Sequence, residues 1–324
     1  MKAILCRQYG PPETLTLEEV KSPLPGRGQV VVKVHAAAVN FPDTLIIENK
    51  YQFKPPLPFS PGGEVAGTIA ALGEGVTGFQ LGDRVLAVCT WGGYAEEVVV
   101  PAPAVTPLPE GVPFDEAAAL TLAYGTTYHA LKDRAELKPG ETLLVLGAAG
   151  GTGLAAVEFG RLMGARVIAA ASTEEKLAAC RAAGADECIN YATEDLRERL
   201  KALTGGKGVD VVYDPVGGAY TEAAVRSMAW KGRLLVIGFA AGEIPKIALN
   251  LTLLKGCSIV GVFYGAFVQA EPQRCAANLQ EMLRMVAARE LRPTVTEHHP
   301  LADAPKVLRA FQERRIIGKV VLVP

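Results

Sequence analysis

The sequence predicts an α/β protein of two domains, one of which is doubly wound around a parallel sheet. Its 324 residues exceed what a single hydrophobic core normally serves. From Glu141 onward, short apolar runs alternate with segments of helical periodicity, which predicts parallel strands joined by right-handed crossovers. Before Glu141 the apolar runs are short and separated by prolines, which indicates a β-rich domain. We place the β-rich domain at 1–122 and 266–324 and the doubly wound domain at 123–265.

The β-rich region contains four predicted strands and ends in two predicted helices. Apolar or alternating runs predict strands at 30–34, 65–70, 84–88 and 95–100. Frequent prolines between 55 and 109 exclude long helices there. Helical composition returns at 114–122 and 126–135, with Pro113 near the first helical position and Pro139 after the second helix.

The clearest motif lies between Glu141 and Lys176. The apolar run 142–146 ends in a glycine-rich turn, a helix with apolar residues at helical spacing follows, and 166–171 is the next strand. In such a unit the glycines let the backbone approach a pyrophosphate, which the free amides of the helix N-terminus hold. The alternative is a glycine-rich turn of another kind of α/β protein. The motif predicts a dinucleotide-binding site formed by Gly147, Gly150, Gly151, Thr152 and Gly153.

The end of the second strand bears on the choice of dinucleotide. NAD-binding folds usually carry a carboxylate there for the ribose hydroxyls, whereas a 2′-phosphate needs hydroxyl or cationic neighbours. This strand ends in Ser172 and Thr173, with Lys176 one helical turn later. The pattern favours NADPH, although Glu174 and Glu175 lie close by. Ser172 and Thr173 could also cap the next helix, with Glu175 completing a capping box.

The alternation continues to the C-terminus. Helices are predicted at 173–183, 196–203 and 221–230, and strands at 188–191, 209–214, 233–239 and 257–264. The final segment GKVVLVP is predicted to be a strand that pairs back with the N-terminal domain.

Composition narrows the functional class. The net charge is −1, with basic residues scattered among acidic ones, so we expect neither a nucleic-acid partner nor binding to an anionic membrane. No apolar run approaches about 18 residues, and the N-terminus has no signal-peptide pattern. Six widely separated cysteines are typical of reduced thiols in a cytoplasmic enzyme.

The sequence offers few ligands for a metal. A catalytic zinc needs about three ligands from cysteine, histidine or carboxylate side chains. The chain has only His35, His129, His298 and His299, and no two cysteines lie within five residues of each other. We therefore predict a metal-free protein in which each histidine is an ordinary surface or helix residue. Without a Lewis acid, reduction of an electron-poor acceptor is the favoured direction.

An ordered series of segments resembles the quinone oxidoreductase (ζ-crystallin-like) family of the medium-chain dehydrogenases/reductases. The segments are KAILCRQYGPPETL, AAAVNFPDTL, YQFKPPLPFSPGGEVAGTI, LGDRV, GGYAEE, AAALTLAYGTTYHAL, LKPGETLLVLGAAGGTG, GADECINY, DPVGG and GKVVLVP. The resemblance covers essentially the whole chain. It implies a GroES-like β-rich catalytic domain plus a doubly wound Rossmann nucleotide-binding domain. Zinc alcohol dehydrogenases of this superfamily carry Gly-His-Glu where this chain has Gly62-Gly63-Glu64, and a cysteine near Asn40, so both expected zinc ligands are absent.

The resemblance also implies roles for individual residues on the substrate side. Asn40, Asp43 and Tyr51 match residues at the substrate cleft, and Thr126 matches the threonine that bonds the nicotinamide carboxamide. Structural alternatives stay open, since Asn40 could cap a helix, Asp43 could lie in a turn and Thr126 could be an N-cap residue.

Further coenzyme contacts are implied in the same way. They are Ser172, Lys176, Tyr191 and Arg314 at the 2′-phosphate, Gly238 and Phe239 beside the nicotinamide ribose, and Phe263 and Tyr264 along the nicotinamide. Tyr191 could instead be a core aromatic residue, and the aromatic pair 263–264 could belong to a dimer interface. Arg314 is matched only by its spacing from the C-terminus, and Arg315 beside it is a second candidate.

Together these features predict a zinc-independent enzyme that transfers hydride from NADPH to a small-molecule quinone. An NADPH-dependent 2-alkenal, enone or enoyl-thioester reductase is the alternative within enzymes, with Tyr51 as a candidate proton donor. An NADPH-binding structural protein is the alternative of another class. We also expect a homodimer formed through 258–262, the last strand of the sheet.

Overall fold

The computed structural model describes all 324 residues and divides into two compact units. The first unit contains Met1–Leu122 and Glu281–Pro324, and the second contains Ala123–Gln280. The first division falls where the sequence predicts it. The second lies at 280/281 instead of 265/266, because the helices after residue 264 pack against the second unit. There the ring of His129 stacks on Phe267 with 3.7 Å between centroids, and Asn278 Nδ2 donates to Asp133 Oδ2 over 2.8 Å.

The strands are numbered in chain order. They are β1 (Lys2–Leu5), β2 (Thr16–Glu19), β3 (Gln29–Val39), β4 (Glu64–Leu72), β5 (Arg84–Val88), β6 (Glu97–Pro101), β7 (Val105–Pro107), β8 (Thr142–Leu146), β9 (Arg166–Ala171), β10 (Glu187–Asn190), β11 (Val209–Asp214), β12 (Met228–Val236), β13 (Ser258–Gly261), β14 (Val295–Pro300) and β15 (Lys319–Val323).

The helices follow the same convention. They are α1 (Phe41–Ile46), α2 (Phe114–Ala118), α3 (Gly125–Tyr128), α4 (Gly151–Leu162), α5 (Glu174–Ala182), α6 (Leu196–Leu203), α7 (Ala219–Arg226), α8 (Asn250–Lys255), α9 (Tyr264–Ala270), α10 (Pro272–Ala287) and α11 (Ala304–Gln312). Leu120–Tyr124 and His129–Arg134 are π-helical, and Pro12–Thr14, Ala102–Ala104 and Leu301–Asp303 are 3₁₀ turns.

The second unit is a doubly wound sheet of six parallel strands in the order β10-β9-β8-β11-β12-β13. The chain starts in the middle at β8, winds outward through β9 and β10, and returns to the centre at β11. Its core consists of buried aliphatic side chains from the strands and the helices that cover them. Ligands of such sheets bind at the carboxyl ends of the strands, where the winding direction reverses. In this unit that point lies between β8 and β11.

The first unit is β-rich. Its main sheet has seven strands, with the order β14-β15-β3-β4-β5-β7 and β6 paired to β3, and all pairs except β14 with β15 are antiparallel. Strands β1 and β2 form a separate antiparallel pair. Val320 of β15 pairs with Val39 of β3, which confirms that the C-terminal strand returns to the N-terminal domain.

Several predicted elements differ from the structure at their ends, among them the strands predicted at 30–34 and 233–239, which are Gln29–Val39 and Met228–Val236. Two further boundaries show why. The helix predicted at 221–230 stops at Arg226, because Met228 already pairs with Val209 as the first residue of β12. The strand predicted at 257–264 stops at Gly261, and Tyr264 begins α9. In both places pairing with neighbouring strands decides the boundary, which local propensity does not encode.

Candidate functional site

The glycine turn that follows β8 has the geometry of a phosphate-binding turn. Gly147 has φ +57°, a left-handed conformation that favours glycine, and Gly150 is the N-cap residue of α4. A Cβ atom on Gly153 would lie 2.4 Å from the carbonyl oxygen of Gly147 and 2.7 Å from the backbone of Ala148. The turn therefore packs backbone against backbone, which only glycine at 153 allows.

Gly150 differs from its neighbours in the turn. A Cβ atom on this residue would lie 3.6 Å from the Gly147 carbonyl oxygen, an ordinary contact, and its φ is −74°. The protein itself does not require glycine here. The absence of a side chain leaves backbone open to a ligand at this position.

The first amides of α4 complete this part of the site. Helix α4 has 12 residues and no side-chain cap, and its first intrahelical hydrogen bond runs from Leu154 N to Gly150 O over 2.8 Å. The N–H groups of Gly151, Thr152 and Gly153 belong to the first turn, where a helix provides no acceptor. Together with the positive end of the helix dipole they can hold the pyrophosphate of a dinucleotide. The residues of the predicted motif are thus brought together as a cradle that fits this group.

The end of β9 shows which hydroxyl caps the next helix. Thr173 Oγ1 accepts from Lys176 N over 3.3 Å and is the N-cap of α5, whereas Ser172 Oγ accepts from Lys176 Nζ over 3.5 Å. The capping box with Glu175 is wrong, because Lys176 and not a carboxylate occupies the third helical position. Glu174 pairs with Arg181 on the helix surface. The strand tip itself therefore presents a hydroxyl beside an ammonium group.

Tyr191 lies at the end of the neighbouring strand. Its backbone N–H donates to Ala171 O over 3.1 Å, which places the residue beside the end of β9. Its ring contacts Tyr220, with 4.4 Å between centroids, and packs against the core of the second unit. Tyr191 thus has the alternative role in the core, and its contact with a 2′-phosphate stays a prediction.

The other predicted coenzyme contacts of the second unit also follow strand ends. Gly238 and Phe239 come after β12, and the Phe239 ring is 39% exposed. Phe263, which is 65% exposed, and Tyr264 come after β13. A Cβ atom on Gly125 would lie 2.3 Å from Tyr264 Oη, so this tyrosine reaches the start of α3. The carboxyl edge of the sheet gathers these residues with the glycine turn.

Thr126 is half-buried inside a helical stretch, so its alternative role as an N-cap residue is wrong. The neighbouring residue, Thr127, was not predicted from the sequence and makes hydrogen bonds within the protein. Thr127 Oγ1 lies 2.8 Å from Tyr213 Oη, and it donates to Ala123 O over 2.9 Å and to Thr152 O over 3.2 Å. Thr127 therefore ties the helix at 125–128 to the glycine turn.

Two surface pockets of the second unit lie away from these residues. One has a volume of about 280 Å³ beside Glu141, Asp210 and Arg233, and the other has about 300 Å³ beside Thr204 and Ser227. The first lies at the amino ends of β8, β11 and β12, and the second at the amino ends of β11 and β12. Because dinucleotides bind at the carboxyl ends, neither pocket is the candidate coenzyme site.

In the first unit, Asn40 and Asp43 belong to a buried polar cluster. Asn40 is the N-cap of α1, and its backbone N–H donates to Asp43 Oδ2 over 2.8 Å. Tyr94 Oη donates to the same oxygen over 2.7 Å. Burial raises the pKa of Asp43 to about 6, against the lowering effect of the Tyr94 hydrogen bond. The capping role for Asn40 is thus real, and Asp43 is a buried carboxyl group beside it.

Glu64 and Lys319 complete this cluster and were missed from the sequence. Lys319 Nζ donates to Glu64 Oε1 over 3.1 Å and to Asn40 Oδ1 over 2.5 Å. Glu64 Oε1 also accepts from Asn40 Nδ2 over 2.8 Å, and Oε2 accepts from Leu122 N over 2.7 Å and from the Thr121 hydroxyl. A lysine opening an otherwise apolar strand, KVVLV, was the available signal.

Tyr51 lies near this cluster. It is half-buried against the core of the first unit, with its ring 5.8 Å from that of Phe53. Burial and, less strongly, the charge of Asp43 raise the pKa of Tyr51. Its hydroxyl makes no hydrogen bond within the protein. Its hydroxyl is therefore available to a ligand.

The histidines have structural partners. His129 Nδ1 lies 2.9 Å from Asp133 Oδ2, His298 Nε2 lies 2.9 Å from Asp115 Oδ2, and the ring of His35 stacks on Phe114. The chain brings together no group of three histidine, cysteine, aspartate or glutamate side chains that could hold a metal ion.

Arg314 lies in the first unit. It follows the end of α11 and has φ +58°. Its contact with a coenzyme phosphate stays a prediction.

The two glycines of the turn should respond differently to alanine. We expect Gly153→Ala to lower the free energy of unfolding by about 1–3 kcal/mol, because backbone atoms must move to admit the methyl group. Gly150→Ala is the matched control and should stay within about 0.5 kcal/mol of the wild type. Urea denaturation followed by circular dichroism measures both. Equal stability of the two variants would contradict the packing described for Gly153.

Comparison with known proteins identifies both units. A family model described as alcohol dehydrogenase GroES-like domain matches residues 26–110, and one described as zinc-binding dehydrogenase matches residues 151–287. The fold is therefore a GroES-like domain plus a Rossmann domain of the type that binds NAD(P). No helix of the chain is long and apolar enough to span a lipid bilayer.

Relatives and solved structures extend over the whole chain. The chain is 38% identical to the quinone oxidoreductase-like protein 2 homolog of Nematostella vectensis, covering 99% of this chain and 88% of the relative. It is 35% identical to the quinone oxidoreductase of Sus scrofa, covering 100% and 98%. The quinone oxidoreductase of Escherichia coli, solved in complex with NADPH, matches with a TM-score of 0.91 at 31% identity over 100% of both chains. The chain therefore belongs to the zinc-independent quinone oxidoreductase family of the medium-chain dehydrogenases/reductases.

Proposed function

We propose that this chain is an NADPH-dependent reductase that transfers hydride to a quinone without zinc. The observation that carries the proposal is the end of β9, where Ser172 Oγ lies 3.5 Å from Lys176 Nζ and the strand tip has no carboxylate. A hydroxyl and an ammonium group favour the 2′-phosphate of NADPH, whereas a carboxylate there would favour NADH. The Escherichia coli relative described with NADPH is consistent with this choice.

The quinone is proposed from the relatives and from the chemistry available to the chain. Several relatives are named quinone oxidoreductases. The bound nicotinamide supplies the hydride, so the protein has to orient the acceptor and donate a hydrogen bond to the oxygen that gains charge. The free hydroxyl of Tyr51 is suited to that donation. We place the enzyme in the cytoplasm, since its six cysteines are all free thiols.

A second function is favoured by the same hydroxyl. Reduction of a 2-alkenal, an enone or an enoyl thioester needs a proton at the α-carbon in addition to the hydride, whereas a reduced quinone can take its protons from water. Tyr51 would be the donor in that case. The third candidate, an NADPH-binding structural protein, requires only the second unit's coenzyme site.

An acceptor panel separates these functions. Oxidation of NADPH at 340 nm is followed with 1,4-benzoquinone, 2-hexenal and a crotonyl thioester. We expect the quinone to give the highest kcat/KM. A higher value for either conjugated carbonyl compound would replace the quinone with that acceptor, and binding of NADPH without turnover in the whole panel would support the structural protein.

The coenzyme preference is tested at the strand end. We expect Lys176→Ala to raise the KM for NADPH about tenfold or more, because it removes a charge-assisted contact with the phosphate. The KM for NADH should change less than about twofold, because NADH has no group to meet the ammonium. Lys207→Ala, an exposed lysine in the loop before β11, is the control. Equal changes for both coenzymes would contradict a 2′-phosphate contact.

We further propose that the protein is a homodimer joined along β13. This strand pairs only with β12, so its other edge has unpaired backbone groups, and the nearby Leu253 and Leu254 are 79% and 71% exposed. Light scattering at micromolar concentration should give about twice the chain mass of 34.2 kDa. Leu253→Asp should shift the protein to the monomer, whereas Leu24→Asp, equally exposed in the first unit, should not. A monomeric wild type would refute the dimer.

A further inference from the structure

The ion pair between Lys319 and Glu64 is buried inside the first unit. Both side chains are 3% exposed. Lys319 Nζ has three acceptors, namely Glu64 Oε1 at 3.1 Å, Asn40 Oδ1 at 2.5 Å and Val39 O at 3.3 Å. All the hydrogen atoms of the ammonium group are therefore used within the protein. Lys319 is not available to bind a substrate directly.

Stability alone does not account for such a pair. Removing two charges from water is costly, and replacing a buried ion pair with apolar residues of similar size is often neutral or stabilising. Buried ionic groups are better explained where they hold a specific arrangement. Here the arrangement includes two of the residues predicted on the substrate side.

The contacts form a chain from the C-terminal strand to Asp43. Lys319 in β15 holds the amide oxygen of Asn40, and Glu64 in β4 holds its amide nitrogen over 2.8 Å. The Asn40 side chain is thus fixed from both ends. Holding the side chain also holds the backbone of Asn40, which is extended with φ −132° and ψ 156°. In this conformation the Asn40 N–H points at Asp43 Oδ2.

We propose that Lys319 is a positioning residue for the acceptor side of this enzyme, acting through Asn40 to hold the Asp43 carboxyl group near Tyr51. The inference rests on the proposed function, because it assumes that the acceptor meets Asp43 and Tyr51. It goes beyond that function by assigning a role to the last strand of the chain.

Several groups around Asp43, including the ion pair of Lys319 and Glu64, change the pKa of its carboxyl group. Burial raises the pKa of Asp43 most strongly; hydrogen bonds from Tyr94 and the Asn40 N–H and the charge of Lys319 lower it, and the charge of Glu64 raises it. Tyr51 and Cys89 are the neutral titratable neighbours, and the pKa of each is raised in part by the charge of Asp43.

The kinetic test removes both charges together. Glu64→Gln/Lys319→Met leaves no buried ion unpaired and roughly keeps the side-chain volumes. We expect kcat with 1,4-benzoquinone to fall about tenfold or more, and the KM for NADPH to stay within about twofold, because a misplaced acceptor costs rate and not coenzyme affinity. The control is Lys33→Met, which replaces an exposed lysine of β3 and should change neither quantity. A double variant with a lower unfolding temperature and wild-type kcat would overturn the proposal.

A second variant tests the same proposal if the double variant does not fold. Lys319→Arg keeps the charge, but a planar guanidinium group cannot meet the same three acceptors in the same directions. We expect the same selective loss of kcat. Unchanged kcat in Lys319→Arg would overturn the proposal.

The third readout does not depend on turnover. The ¹³C signal of the Asp43 carboxyl group, identified by its loss in Asp43→Asn, reports the pKa of this residue. Lys319→Met should raise that pKa, since it removes a positive neighbour that lowers the pKa of Asp43; an unchanged titration would mean that Lys319 does not act on Asp43 and would overturn the proposal. If the wild type reduces no acceptor, the proposed function fails, and this titration alone decides the role of Lys319.

Discussion

The carboxylate of Glu64 is the interaction on which the first unit depends. It is buried and accepts hydrogen bonds from the start of α1, from β15 and from the helical stretch at 121–122. These donors come from distant parts of the chain. A carboxylate withdrawn from water needs several donors to compensate its lost hydration. Because the donors come from both parts of the discontinuous first unit, the hydrogen bonds of Glu64 connect its N-terminal and C-terminal segments.

The second unit depends on a different constraint, the close approach of backbone to backbone in the glycine turn. Gly153 has no room for a side chain against the carbonyl oxygen of Gly147. The same packing directs the first amides of α4 outward at the carboxyl edge of the sheet, and Thr127 ties that turn to the neighbouring helix. One steric condition therefore determines both the core contact between β8 and α4 and the position of the uncapped first turn of the helix.

Sequence reasoning was most successful where local pattern and topology agree. Strands β5, β8, β9 and β11 and helix α6 have the predicted bounds, because their apolar or helical periodicity is clear from the local sequence. It was less successful where contacts with elements distant along the chain determine the bounds of an element or of a unit. The start of β12 follows from pairing with β11, and the division at 280/281 follows from contacts that α9 and α10 make with the second unit. At the site, the hydrogen bonds of Thr127 to Ala123, Thr152 and Tyr213 were not predicted, because they join elements distant along the chain.

By itself the sequence determined the class of the protein, since the order of strand, glycine turn and helix, and the lack of clustered cysteine and histidine, are local properties that can be counted along the chain. Only the tertiary structure decided which side chains are partners. Lys319 lies 279 residues from Asn40 and 255 from Glu64 along the chain. The sequence around any one of these residues does not predict its contact with the other two. Burial and hydrogen bonding give these residues their roles, and both arise only when the strands that carry them are paired.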